Sequence, residues 1–142
     1  MERATASTVS LERRLRQHRR RLTPQRTLIC RLLDGNLEHP SAETLHRRAC
    51  KAMPTLSLRT VYAILHELAA IGAIQPLDLG TGSTRFDPNP RPHHHVVCTR
   101  CGRVRDVHVP LAPIELPSDQ REGFWVTGVA LIFRGVCREC RR

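Results

Sequence analysis

Two cysteine pairs constrain this chain more than any other feature. Cys98-Thr-Arg-Cys101 and Cys137-Arg-Glu-Cys140 are CxxC motifs with 35 residues between them. Each pair lets two thiolates grip one ion from a single tight turn, and two such turns complete a tetrahedral four-sulfur shell for Zn2+. A closed shell leaves no position for a substrate, so the predicted site is structural and its metal folds the segment around it. Ordinary buried thiols or two redox dithiols are the alternatives. Cys30 and Cys50 have no partner at such spacing and read as small core residues.

The N-terminal half carries a different pattern. Thr23 stands as an N-cap before Pro24, with Leu28, Ile29, Leu32 and Leu33 forming an apolar stripe and Gly35 as a stop. Ser41 caps a second helix that has Glu43 in its first turn and basic residues from Arg47 to Lys51, with Pro54 beyond its end. Ser57 opens a third, in which Leu58, Val61, Ile64, Leu65, Leu68 and Ile71 bury one side until Gly72 closes it. Two strand-like pieces, "AIQPLD" and "STRFDP", flank the turn "LGTG" as a hairpin would. With a preceding helix from about Thr8 to Arg20, this order predicts a winged helix-turn-helix.

Charge agrees with that reading. The net charge is +10, and eight arginines against Glu2 and Glu12 crowd the first 26 residues, a balance that suits a polyanion such as nucleic acid. The exposed start of the third of these helices offers Ser57, Arg59, Thr60 and Tyr62 to a major groove, while Arg21 and Arg26 would hold the DNA backbone or minor groove. His18, His46, His66 and Glu67 read as surface residues.

After Asp87 the composition shifts through Pro88, Pro90 and Pro92, and the expected domains are residues 1–86 and 87–142, with Asp87 at the junction. "HHVVC" and "RVRDVHV" alternate as strands around the first cysteine turn, and "FWVTGVALIFRGVC" reads as one extended strand ending at Cys137. "PLAPIELPSDQREG" between them is too rich in proline for a long helix. Strand alternation sends His93 and His95 to one face and His94 and Cys98 to the other. Two sites follow: the four-cysteine site, and a second built on His93 and His95, for which Asp87 and Asp106 are candidate carboxylates or else ordinary surface polar groups.

"LTPQR", "HPSAETLH", "SLRTVYAILHELAAIG", "RFD", "HHHVVCTRCGRVRDV" and "GVCREC" together resemble the ferric uptake regulator family of metal-dependent bacterial repressors, over roughly Leu11 to Arg142. The resemblance implies an α+β fold in which an N-terminal winged-helix domain precedes a small α/β dimerisation domain with a structural zinc site. It also implies a regulatory metal held by His39, Asp87, His93, His95 and Asp106. His39 enters only through the resemblance, since a histidine before a proline would otherwise read as a loop residue. Three imidazoles and two carboxylates without a thiolate suit Fe2+ or Mn2+. Aspartate at positions 87 and 106 is similar to the peroxide-sensing PerR-type branch. An iron- or nickel-responsive uptake regulator of the same family is the alternative. Pro92 and Ala130 stand where a further metal site of iron-uptake members would have histidines, and a longer helix is usual across residues 110–122.

The expected protein is thus a homodimer that binds an operator in double-stranded DNA, with no membrane contact and no small organic ligand. Without a secretory h-region or an apolar run of membrane-spanning length it is expected in the cytoplasm. A zinc deaminase would need an H-x-E motif and an open coordination position. A single-strand RNA binder would need more stacking platforms than three Phe, one Tyr and one Trp.

Overall fold

A computed structural model describes residues 9–142, which divide into two compact units, the first ending at Arg91 and the second running from Pro92 to Arg142. The first unit holds α1 (Leu11–Gln17), α2 (Pro24–Leu33), α3 (Ala42–Ala49) and α4 (Leu58–Ala70), then β1 (Gln75–Leu77) and β2 (Arg85–Asp87). Every helix starts on a side-chain cap. Ser10, Thr23, Ser41 and Ser57 accept from the backbone N–H groups of Arg13, Arg26, Thr44 and Thr60, satisfying donors that a helix start leaves open. The first helix is shorter than Thr8 to Arg20, because the Ser10 cap sets its start and Arg19 turns left-handed at φ 55° just beyond its end; Thr8 lies outside the described residues.

The apolar stripes meet in one core. Leu11 and Leu15 of α1, Ile29 and Leu33 of α2, Leu45 of α3, and Val61, Ile64, Leu65 and Leu68 of α4 are buried together with Phe86 of β2. Gly72, at φ 67°, turns the chain out of α4, a conformation that costs a glycine little. β1 and β2 then pair antiparallel as the wing, with Pro76 opposite Phe86. Ser41 forms a further antiparallel bridge with Arg85, so the wing is hydrogen-bonded to the chain entering α3.

The second unit is a three-stranded sheet in the order β4-β3-β5: β3 (His94–Cys98), β4 (Val104–Val107) and β5 (Ile132–Gly135). β4 runs antiparallel to β3, and β5 runs parallel to it. Only the end of the expected long strand is paired. Phe124 to Ala130 form no ladder, and the chain from His108 to Leu131 holds just one 3-10 turn, Ser118–Gln120. Pro110, Pro113 and Pro117 explain the missing helix, since each lacks the N–H a helix interior needs.

Candidate metal centre and nucleic-acid face

Sheet and turns bring the four cysteines together. Cys98 ends β3, Cys101 follows in a turn closed by the Gly102 N–H on the Cys98 carbonyl, Cys137 follows β5, and Cys140 sits in the 3-10 turn Arg138–Arg141. All four sulfurs lie within 4.8 Å of one another, and Cys101 and Cys137 are 3.7 Å apart. A zinc tetrahedron with Zn–S bonds of about 2.3 Å has edges of roughly 3.8 Å, so the donor set and its spacing fit Zn2+.

The backbone N–H groups of Cys137 and Cys101 point at Cys98 Sγ from 3.3 and 3.5 Å and pull that thiol down to about 6. Hydrogen bonding with Cys137 and Cys101 pushes the Cys140 thiol up to about 12. Four thiols this close cannot all ionise unless a cation joins them. Arg103 pairs with Glu139 at 2.8 Å, and the Arg100 guanidinium donates to the Cys140 carbonyl, tying the two cysteine turns to each other.

In the first unit, His39 and Asp87 face one another, Nε2 to Oδ2 at 3.2 Å, each with about 1 % of its surface exposed. His39 lies between α2 and α3 at φ 52°, a left-handed conformation that residues other than glycine rarely adopt. Its Nδ1 is 3.0 Å from the Leu37 carbonyl. With the proton on that nitrogen, Nε2 keeps its lone pair for a cation, the arrangement by which metal-binding imidazoles are usually fixed. Arg85 donates to the His39 carbonyl at 3.2 Å.

In the second unit, His93 and His95 converge on Oδ1 of Asp106 at 3.1 and 3.6 Å, with their rings 4.5 Å apart. The register explains the meeting, since His95 pairs directly with Asp106 across β3 and β4. His94 faces away and accepts from the Leu131 N–H. His108, which the sequence reading gave no role, stacks against His93 at 5.8 Å.

Of the candidate DNA residues, Arg26, Arg59 and Thr60 line an open hollow at α2 and α4 together with Arg20, His66 and Glu67, whereas Arg21, Ser57 and Tyr62 do not line it. Several are engaged within the fold. The Ser57 hydroxyl caps α4 and contacts that of Thr60 at 2.8 Å, and the Tyr62 hydroxyl donates to Glu43 at 2.6 Å. Arg26 bonds the Arg21 carbonyl and pairs with Glu67 at 2.9 Å, while Arg20 reaches the same carboxylate at 3.5 Å. Glu67 is therefore a bridging residue rather than a plain surface one. The 41 positions separating it from Arg26 put the contact beyond any local pattern.

His46 also has a partner, with Nε2 2.7 Å from the Leu56 carbonyl and 3.3 Å from Cys50 Sγ. Cys50 is thus half-buried among polar groups, whereas Cys30 is a core residue whose thiol burial pushes up to about 12.

A wing-bearing helix-turn-helix followed by a sheet with a four-thiol centre defines a metal-binding winged-helix protein. The chain belongs to the ferric uptake regulator family, whose sequence profile matches residues 17–133. It is 35% identical over 122 residues to the peroxide-responsive repressor PerR of Staphylococcus epidermidis, covering 85% of this chain and 81% of that protein. Among solved structures it is similar to a zinc-bound manganese uptake regulator, with TM-score 0.73 and 28% identity over 91% of this chain and 99% of that one. The PerR of Streptococcus pyogenes gives TM-score 0.52 and 28% identity, covering 92% of this chain and 90% of that one.

Proposed function

We propose that this protein is a cytoplasmic, homodimeric repressor that binds operator DNA when a regulatory Fe2+ or Mn2+ is bound, and that it senses peroxide through the iron form. The observation that carries this reading is that each unit brings imidazole and carboxylate groups together in a largely buried cluster. His39 and Asp87 meet in one, and His93, His95 and Asp106 in the other. Neither cluster contains a thiolate, which suits Fe2+ or Mn2+, while the four cysteines suit Zn2+. Sharing one ion between the clusters would favour a single arrangement of the two units, and DNA affinity would follow that population.

Dimerisation is supported by the apolar surface of the second unit. Ile114, Phe124, Trp125 and Phe133 are exposed, Trp125 to 90%. So many large apolar side chains exposed in one small unit favour a partner that covers them. Two winged-helix units related by a two-fold axis would read a two-fold symmetric site with half-sites about one helical turn apart, or a multiple of it.

When bound, Fe2+ would supply the one-electron chemistry that cleaves the O–O bond of H2O2, the two electrons of the net reaction being drawn from an imidazole ring. Net, the peroxide leaves one oxygen atom on an imidazole ring and departs as water. His39 and His93 are the proposed targets, and a ring so modified no longer holds its half of the site. The zinc-bound cysteines, with no free thiolate, compete poorly for the oxidant. The test is mass spectrometry of Fe2+-loaded and Mn2+-loaded protein after dilute peroxide, read together with DNA release. Gain of one oxygen on a peptide containing His39 or His93, with iron only and with loss of DNA, is the expected result. Unmodified histidines with DNA still bound would assign the protein to metal-uptake control instead.

A further inference from the structure

We infer that Arg85 is a positioning residue for the regulatory metal, acting from the wing through the backbone of His39. The inference rests on the reading of His39 and Asp87 as ligands. Strand β2 holds the segment His39-Pro40-Ser41 along its length. Arg85 Nη1 donates to the His39 carbonyl at 3.2 Å, the Phe86 N–H donates to the Pro40 carbonyl at 3.0 Å, Ser41 bridges to Arg85, and Asp87 meets the His39 ring at 3.2 Å.

Strand alternation puts Arg85 and Asp87 on one face and Phe86 on the other, in the core. One face of β2 therefore grips both ends of His39, its carbonyl through Arg85 and its imidazole through Asp87. The left-handed φ of 52° is a less populated backbone conformation for a side chain with a Cβ, and buried contacts of this kind help to hold it. Without the guanidinium on its carbonyl, His39 can relax toward an ordinary backbone conformation, and its ring then swings away from Asp87.

Charge and position predict opposite outcomes when Arg85 is replaced. Removing a cation beside a cation site should tighten metal binding by electrostatics alone. Losing an outer contact that aims a ligand should weaken it, typically by tenfold or more.

The experiment uses zinc-loaded full-length protein and titrates Mn2+, with the free ion read by its electron paramagnetic resonance signal. Arg85→Gln is expected to weaken Mn2+ binding at least about tenfold with unchanged helical circular dichroism. Arg85→Lys, which keeps the charge and one donor, should fall between Arg85→Gln and the wild type. Equal or tighter Mn2+ binding by Arg85→Gln overturns the inference. Should Arg85→Gln fail to fold, Arg85→Lys is read alone: weaker binding at unchanged charge supports the inference, and wild-type binding overturns it. His39→Ala is run alongside. If it too binds Mn2+ like the wild type, the ligand reading has failed; if it loses Mn2+ while Arg85→Gln does not, only the role of Arg85 has failed.

Discussion

Removing zinc, by chelation or by Cys140→Ser, should melt the second unit and leave the first folded. Among residues 92–142 the buried apolar side chains are those of Val97, Val104 and Cys98. Two valines stabilise by about 3–6 kcal/mol together when fully buried. A structural Zn2+ contributes about 10–16 kcal/mol of apparent binding free energy, so the metal term exceeds the apolar one about two- to fivefold. The exposed apolar residues between Val109 and Val136 add little within a single chain. The first unit, by contrast, buries apolar residues from all four helices and the wing.

Amide hydrogen exchange separates the two outcomes residue by residue. With zinc removed, protection should vanish at the His95 and Cys98 amides, which bond Leu131 and Arg103, and persist at Leu65 and Leu68 inside α4. Zinc-free protein whose β3 amides remain as protected as before would refute the argument, because the sheet would then be holding itself together.

Two further outcomes follow from particular contacts. Glu67→Gln removes the carboxylate that engages Arg26 and Arg20, so binding to random-sequence DNA should tighten and its dependence on the logarithm of salt concentration should steepen by about one, measured by fluorescence anisotropy. Burial raises the Cys30 thiol from 9.0 to about 12, so the native state keeps a proton that the unfolded chain releases. That contribution is fully present below pH 9.0 and is lost as pH rises toward 12; urea unfolding on either side of pH 9.0 should show a smaller alkaline loss in Cys30→Ala than in wild type.

What the sequence determined by itself is what local chemistry decides. A hydroxyl three residues before the N–H it caps needs no tertiary partner, so Thr23, Ser41 and Ser57 mark their helices in the bare chain. Two cysteines in one turn likewise announce a metal site, and alternation along a strand puts His93 and His95 on one face. Those signals, joined to the family resemblance, made the winged helix, the four-thiol centre and the histidine cluster legible. The remaining features depended on neighbours distant in the chain. "FWVTGVALIFRGVC" has strand residues throughout, yet just Ile132–Gly135 pairs, because a strand ends where its partner β3 ends. The proline-rich composition pointed to a break after Asp87, where β2 ends, but the compact unit runs on through Arg91, where hydrogen bonds such as Gln75 to the Asn89 carbonyl still hold the chain. The bridge from Glu67 to Arg26 and the grip of Arg85 on a left-handed His39 span 41 and 46 positions. No period of helix or strand encodes such distances; they exist because packing Phe86 and α4 into one core carries those side chains to each other.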